Sequence, residues 1–126
     1  MLGDINVHAT IPVSDLDDAK DFYENILGLE EVGEREGGAA LMRSGKSHIL
    51  LYESAYVGTN EATALSWEVN DPEAIVEALK EKGVEFEHYP EMDGVTISGD
   101  LHRMGSYVAA WFKDPDGNIL AVGSAM

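Results

Sequence analysis

Cysteine is absent from this chain, and with it go disulfides, thiolate zinc sites, iron–sulfur clusters and cysteine nucleophiles. Basic residues are scarce: 8 Lys and Arg stand against 24 Asp and Glu, for a formal net charge of -16. Such a surface repels phosphate backbones and anionic lipid, so neither nucleic acid nor membrane is an expected partner. Long apolar runs are missing too. No stretch approaches the ~20 residues that span a bilayer. The opening MLGDINVHAT has neither the basic start nor the apolar middle of a signal peptide, which makes cytoplasmic the expected address. GxSxG, GxGxxG, P-loop and HExxH words do not occur, which leaves those mechanisms without support. The acidity itself has three readings that composition does not separate: a solvated carboxylate surface, adaptation to high salt, or attraction of a cationic ligand.

What is present is a pattern that runs twice. A chain of 126 residues with 44% hydrophobic side chains suits a single domain, 1–126, with a core that needs no staples. Residues 5–13 (INVHATIPV) are rich in β-branched types and read as a strand. Ser14 and Asp15 supply a helix cap, and Leu16, Ala19, Phe22, Tyr23, Ile26 and Leu27 recur at helical spacing up to Gly28. Strands are expected at 29–36, 38–43 and 47–53. The sequence then restarts with a strand at 63–69, a cap at Asn70-Asp71-Pro72 and a stripe of Ala74, Ile75, Ala78 and Leu79 that Gly83 ends. Further strands are expected at 84–89, 106–113 and 119–123, with Asp114-Pro115-Asp116-Gly117-Asn118 as a tight turn rather than a calcium loop. The polar stretch from Pro90 to Gly105 reads as a lid or a long hairpin loop. Two βαβββ modules result, about 1–55 and 62–126, each too small to stand alone and so expected to share a core.

Three words carry a resemblance. They are His8-x-Thr10-x-Pro12-Val13-x-Asp15, then Asp21-Phe22-Tyr23 through Leu27-Gly28-Leu29, and Trp111-Phe112-Lys113-Asp114-Pro115-Asp116-Gly117-Asn118. In this order, on a doubled βαβββ pattern, they resemble the vicinal oxygen chelate superfamily of glyoxalase I, bleomycin-resistance proteins, fosfomycin-resistance enzymes and extradiol dioxygenases. The resemblance implies an α+β fold in which both modules form one curved mixed sheet around a cavity, and a homodimer. It also implies divalent-metal ligands at four inward strand positions, which in this chain hold His8, Leu50, Ala64 and Ala121. Only His8 has a donor atom. Strand alternation adds Asn6, Thr10, His48, Tyr52, Ser66 and Glu68 to the inward faces. His8, His48 and Glu68 form a two-His, one-carboxylate set. However, one inward step along a strand is about 6.6 Å against Zn–N bonds of about 2.0–2.1 Å, so a displaced metal site is disfavoured.

Each candidate has two readings. His8 is either an acid/base on the cavity floor or a structural histidine. His48 and Tyr52 line the same wall or fill a half-buried strand. Glu68 is a solvent-edge carboxylate unless the cavity desolvates it. His102 and Arg103 could close over an anionic group, or simply solubilise an exposed loop, and His88 carries no functional claim. Trp67, Tyr107 and Trp111 suit a flat or cationic ligand, or a core or dimer contact. The expected site thus comprises His8, Thr10, His48, Leu50, Tyr52, Ala64, Ser66, Glu68, Trp111 and Ala121. The leading expectation is a small-molecule-binding protein of the glyoxalase/bleomycin-resistance type with no cofactor. The alternatives are a glyoxalase-like lyase or isomerase, or a dioxygenase-related enzyme, using a displaced divalent metal or His8, and an interaction module with a vestigial cavity.

Overall fold

Three hairpin turns follow one recipe. Gly45-Lys46, Gly99-Asp100 and Gly105-Ser106 each place glycine first, at φ of 58°, 64° and 60°, between the paired residues Ser44–Ser47, Ser98–Leu101 and Met104–Tyr107. Glycine takes this φ without a Cβ clash, and the resulting twist matches that of the flanking strands. In this computed structural model, which describes residues 1–35 and 38–125, these turns connect strands within two compact units, Met1–Thr59 and Asn60–Met126. The boundary falls between the expected module limits of 55 and 62. The fold class is α+β as expected, with backbone pairing dividing the strands into two sheets, one in each unit.

The first unit contains β1 (Ala9–Val13), α1 (Leu16–Asp21), β2 (Glu30–Arg35), β3 (Ala39–Ser44) and β4 (Ser47–Glu53). Its sheet runs β1-β4-β3-β2, parallel between β1 and β4 and antiparallel elsewhere. Ile11, Val13, Ile49 and Leu51 are buried, whereas Thr10 is exposed and His48, Leu50 and Tyr52 are half-buried. Alternation therefore gives β1 and β4 one core face each, and α1 packs on β3 and β4. Asp15 caps α1 by accepting from the Asp18 N–H at 3.0 Å, and Glu53 at the end of β4 accepts from the Leu16 N–H at 3.0 Å. The expected helix through Leu27 loosens after Asp21 into a π-helical turn, Phe22–Ile26. Two consecutive aromatics are buried there, Phe22 and Tyr23, edge to face at 5.4 Å.

The second unit contains β5 (Thr63–Glu68), α2 (Pro72–Glu81), β6 (Phe86–Glu87), β7 (Val95–Ser98), β8 (Leu101–Met104), β9 (Tyr107–Lys113) and β10 (Ile119–Ala125). The order is β5-β10-β9-β8-β7, with β5 parallel to β10. β6 pairs with Trp111 and Phe112 at one end of β9, and β8 with Tyr107, Val108 and Ala109 at the other. The unit thus repeats the first one's topology with its second strand cut short and a hairpin inserted. Asp71 caps α2 on the Ala74 N–H at 3.2 Å, with Pro72 in the first turn. Pro72, Val76 and Leu79 of this helix are buried. Val108, Ala110, Phe112, Leu120 and Val122 form the strand side of the core, and Phe86 stands edge-on to Phe112 at 5.5 Å.

Three expectations change. The strand expected over 5–13 begins only at Ala9, which pairs with Ile49 of β4. His8 is exposed ahead of the strand. The strand expected over 84–89 keeps only Phe86–Glu87, and the stretch from Pro90 to Gly105 contains the β7–β8 hairpin. Of the strand expected over 29–36, residue 36 lies outside the described residues. Among the described residues, no helix is long and apolar enough to cross a membrane.

Candidate functional site

The second unit presents one polar-to-aromatic sheet face opposite its core. Cross-strand pairs Ser66–Ala121 and Ala121–Trp111 set these three residues in a row across β5, β10 and β9, and Glu87 of β6 extends the row. A bulge in β5 then matters. Thr63 pairs with Ile119 and Leu65 with Leu120, which leaves Ala64 without a cross-strand partner. Thr63, not Ala64, therefore stands opposite Ile119, and its Oγ1 accepts the Trp111 indole N–H at 3.1 Å. That bond fixes the edge of the Trp111 ring.

A groove of about 250 Å3 opens beside this ring. Tyr89 meets Trp111 at 81° with ring centroids 5.6 Å apart, so two aromatic walls form a corner. Met92 and Ile119 complete the apolar lining, and Glu61 and Glu91 supply carboxylates. Burial, then the charge of Glu87, holds the Tyr89 hydroxyl above its ordinary range, with Lys113 opposing and Glu91 adding to the rise. Lys113 is paired with Glu87 at 3.5 Å.

His102 on β8 supports the corner from behind. It is fully buried, its ring lies edge to face on Trp111 at 4.9 Å, and its Nε2 accepts the Tyr89 backbone N–H at 2.9 Å. The neutral ring then carries its proton on Nδ1, which is buried and has no partner in good geometry among the described residues. Burial lowers its pKa and nearby His88 adds to that; the backbones of Asp100 and Ala109 and the Asp100 charge partly offset both. Asp100 sits in the β7–β8 turn between Lys80 at 2.7 Å and His88 at 2.8 Å. The hydrogen bond from Lys80 is the main reason its carboxyl stays below the usual range; His88 assists and burial opposes.

The expected site residues divide between the units. In the first, His48, Leu50 and Tyr52 share one half-buried face of β4, with Thr10 beside Leu50, while His8 lies outside β1. In the second, Ser66, Trp111 and Ala121 align, Ala64 is displaced by the bulge, and Glu68 is exposed opposite Gly123. Trp67 pairs with Val122, on the face opposite Trp111, and the half-exposed Tyr107 ring crosses over Gly123. His102, expected in an exposed loop, is a buried strand residue because the hairpin carries it against β9. Tyr89, Glu61, Glu91 and Met92 were not singled out by sequence; the one available signal was an aromatic followed by proline, Tyr89-Pro90. The Asp114–Asn118 run is a turn: buried Asp114 accepts from the Asp116 and Asn118 backbone N–H groups, both at 2.9 Å, and from Asn118 Nδ2 at 2.8 Å.

A divalent metal of the kind the resemblance implies does not fit these residues. Leu50, Ala64 and Ala121 have no lone pair to offer. Within neither unit do three His, Asp or Glu side chains converge among the described residues.

Comparison with known proteins agrees with this architecture. No curated protein matches the chain. A superfamily member from Sphaerobacter thermophilus is 28% identical, covering 98% of this chain and 99% of that one at a TM-score of 0.68. The fosfomycin resistance protein FosX from Listeria monocytogenes shares the fold at 18% identity, 96% and 93% coverage and a TM-score of 0.72. Lactoylglutathione lyase from Agrobacterium tumefaciens does so at 19% identity, 96% and 93% coverage and a TM-score of 0.71. The family model matches residues 6–122, nearly the whole length, and the chain belongs to the Glyoxalase/Bleomycin resistance protein/Dioxygenase superfamily.

Proposed function

We propose that this chain is a metal-independent small-molecule-binding member of its superfamily, with the Tyr89–Trp111 corner as part of its ligand site. The observation that carries this reading is the donor set. Three of the four positions where the resemblance implies metal ligands hold Leu50, Ala64 and Ala121. One imidazole does not retain zinc, nickel or iron(II), for which protein sites use three or four ligands. A groove with apolar and aromatic walls and few polar groups is the usual form of a small-molecule site. His8 is exposed ahead of β1, away from any enclosed pocket wall that would shield a reacting group, which favours binding over catalysis. The reading extends to a homodimer, supported by the exposed apolar side chains of Leu2, Ile5 and Val7 ahead of β1.

Elemental analysis of gently purified protein tests it directly. Well below one equivalent of any divalent metal is expected, and chelator should leave both thermal stability and ligand binding unchanged. Near one equivalent, lost on His8→Ala, would overturn the reading and favour the enzyme.

A further inference from the structure

The groove has a chemical sign. The residues that line it bring two carboxylates, Glu61 and Glu91, and no Lys, Arg or His side chain. The nearby cation, Lys113, is compensated by Glu87. Tyr89 and Trp111 stand almost at right angles, so both π systems border one corner, and Trp111 cannot swing freely because Thr63 holds its N–H. The negative faces of two rings attract a cation whose own water has been removed, and trimethylammonium-like groups give up water easily. Carboxylates at the rim add long-range attraction and repel anions. The size is restrictive. At about 250 Å3 the groove is smaller than the roughly 300–1,000 Å3 of drug-sized sites, so it suits a head group rather than a large ligand.

We propose that the Tyr89–Trp111 corner, rimmed by Glu61 and Glu91, binds a small organic ammonium group. This rests on the metal-independent binding reading above and names the ligand class of that site. Neutral isosteres fill the same space but leave the carboxylates without a counter-charge, so discrimination comes from charge rather than shape.

The test uses the full chain, choline, and dimethylbutanol in which carbon replaces the choline nitrogen. Titrations follow the indole N–H resonances of Trp111 and Trp67, with and without chelator. Choline should shift the Trp111 resonance saturably, leave Trp67 in place, and bind about tenfold more tightly than dimethylbutanol. Glu61→Gln combined with Glu91→Gln should weaken choline about fivefold and leave dimethylbutanol unchanged. Tyr89→Leu, read at the Trp111 resonance, should lower the preference; the glutamine pair, being on exposed side chains, keeps the test available if that variant does not fold. Equal affinity for the two compounds overturns the ammonium assignment and leaves metal-independent binding standing. Absence of any saturable shift at Trp111, or a tenfold preference that the glutamine pair does not diminish, also overturns it. Choline binding that chelator abolishes and zinc restores overturns both readings together.

Discussion

A buried imidazole whose Nε2 accepts the Tyr89 N–H has to give up that bond, and find an acceptor for the proton Nε2 gains, when it ionises. The folded state of His102 therefore binds a proton less readily than the unfolded chain, whose histidine titrates near 6.5. The sign follows. Stability from neutral His102 is fully present above pH 6.5 and declines as pH falls below it toward the lowered folded value. Urea midpoints measured between pH 7.5 and 5 should fall for the natural chain and stay flatter for His102→Gln. At neutral pH, His102→Leu should cost about 1–3 kcal/mol, since the Tyr89 N–H would remain buried without an acceptor. Asp100 acts in a separate window. Its carboxyl is held below the ordinary value by Lys80 and His88, so its contribution persists until pH falls below about 3.8. Asp114→Ala removes three accepted hydrogen bonds from a buried turn, and about 3 kcal/mol should be lost in the same denaturation assay.

Elements were legible where their signals are local. Both helix starts followed from Asp15 and Asp71, and the Gly45-Lys46 turn from its position between two alternating runs. The identical cue at Gly99-Asp100 was present as Val95-Thr96-Ile97-Ser98 before it, yet a polar composition around it read as loop. Strand 84–89 has the right composition, yet only Phe86 and Glu87 pair with β9, whose other end is taken by β8. Of the site, the Ser66, Ala121 and Trp111 row was accessible through strand alternation. The bulge that replaces Ala64 by Thr63 was not, since a one-residue slip is a property of the pair Thr63–Ile119 and not of either strand. The groove was hidden likewise, because Tyr89 reaches Trp111 only through the fold. Gly99→Ala forces a side chain into φ of +64° and should cost about 1–2 kcal/mol by thermal denaturation.

For the whole molecule, charge is the dominant variable. A formal -16 on 126 residues opposes self-association at low ionic strength, and screening at higher salt removes much of that cost. Sedimentation equilibrium should find a homodimer that strengthens with salt; a monomer at both low and high salt refutes the dimer. The parallel pairs β1–β4 and β5–β10 have one more effect, in the order of assembly. In each unit the antiparallel partners, β6 and β9 apart, are neighbours in sequence and can zip locally, whereas the parallel partner returns only after the helix and the other strands have been made. Closing that long loop early is entropically unfavourable. The first strand of each unit is therefore the last to dock during refolding, and amide protection should appear in β3, β4, β9 and β10 before it appears in β1 and β5.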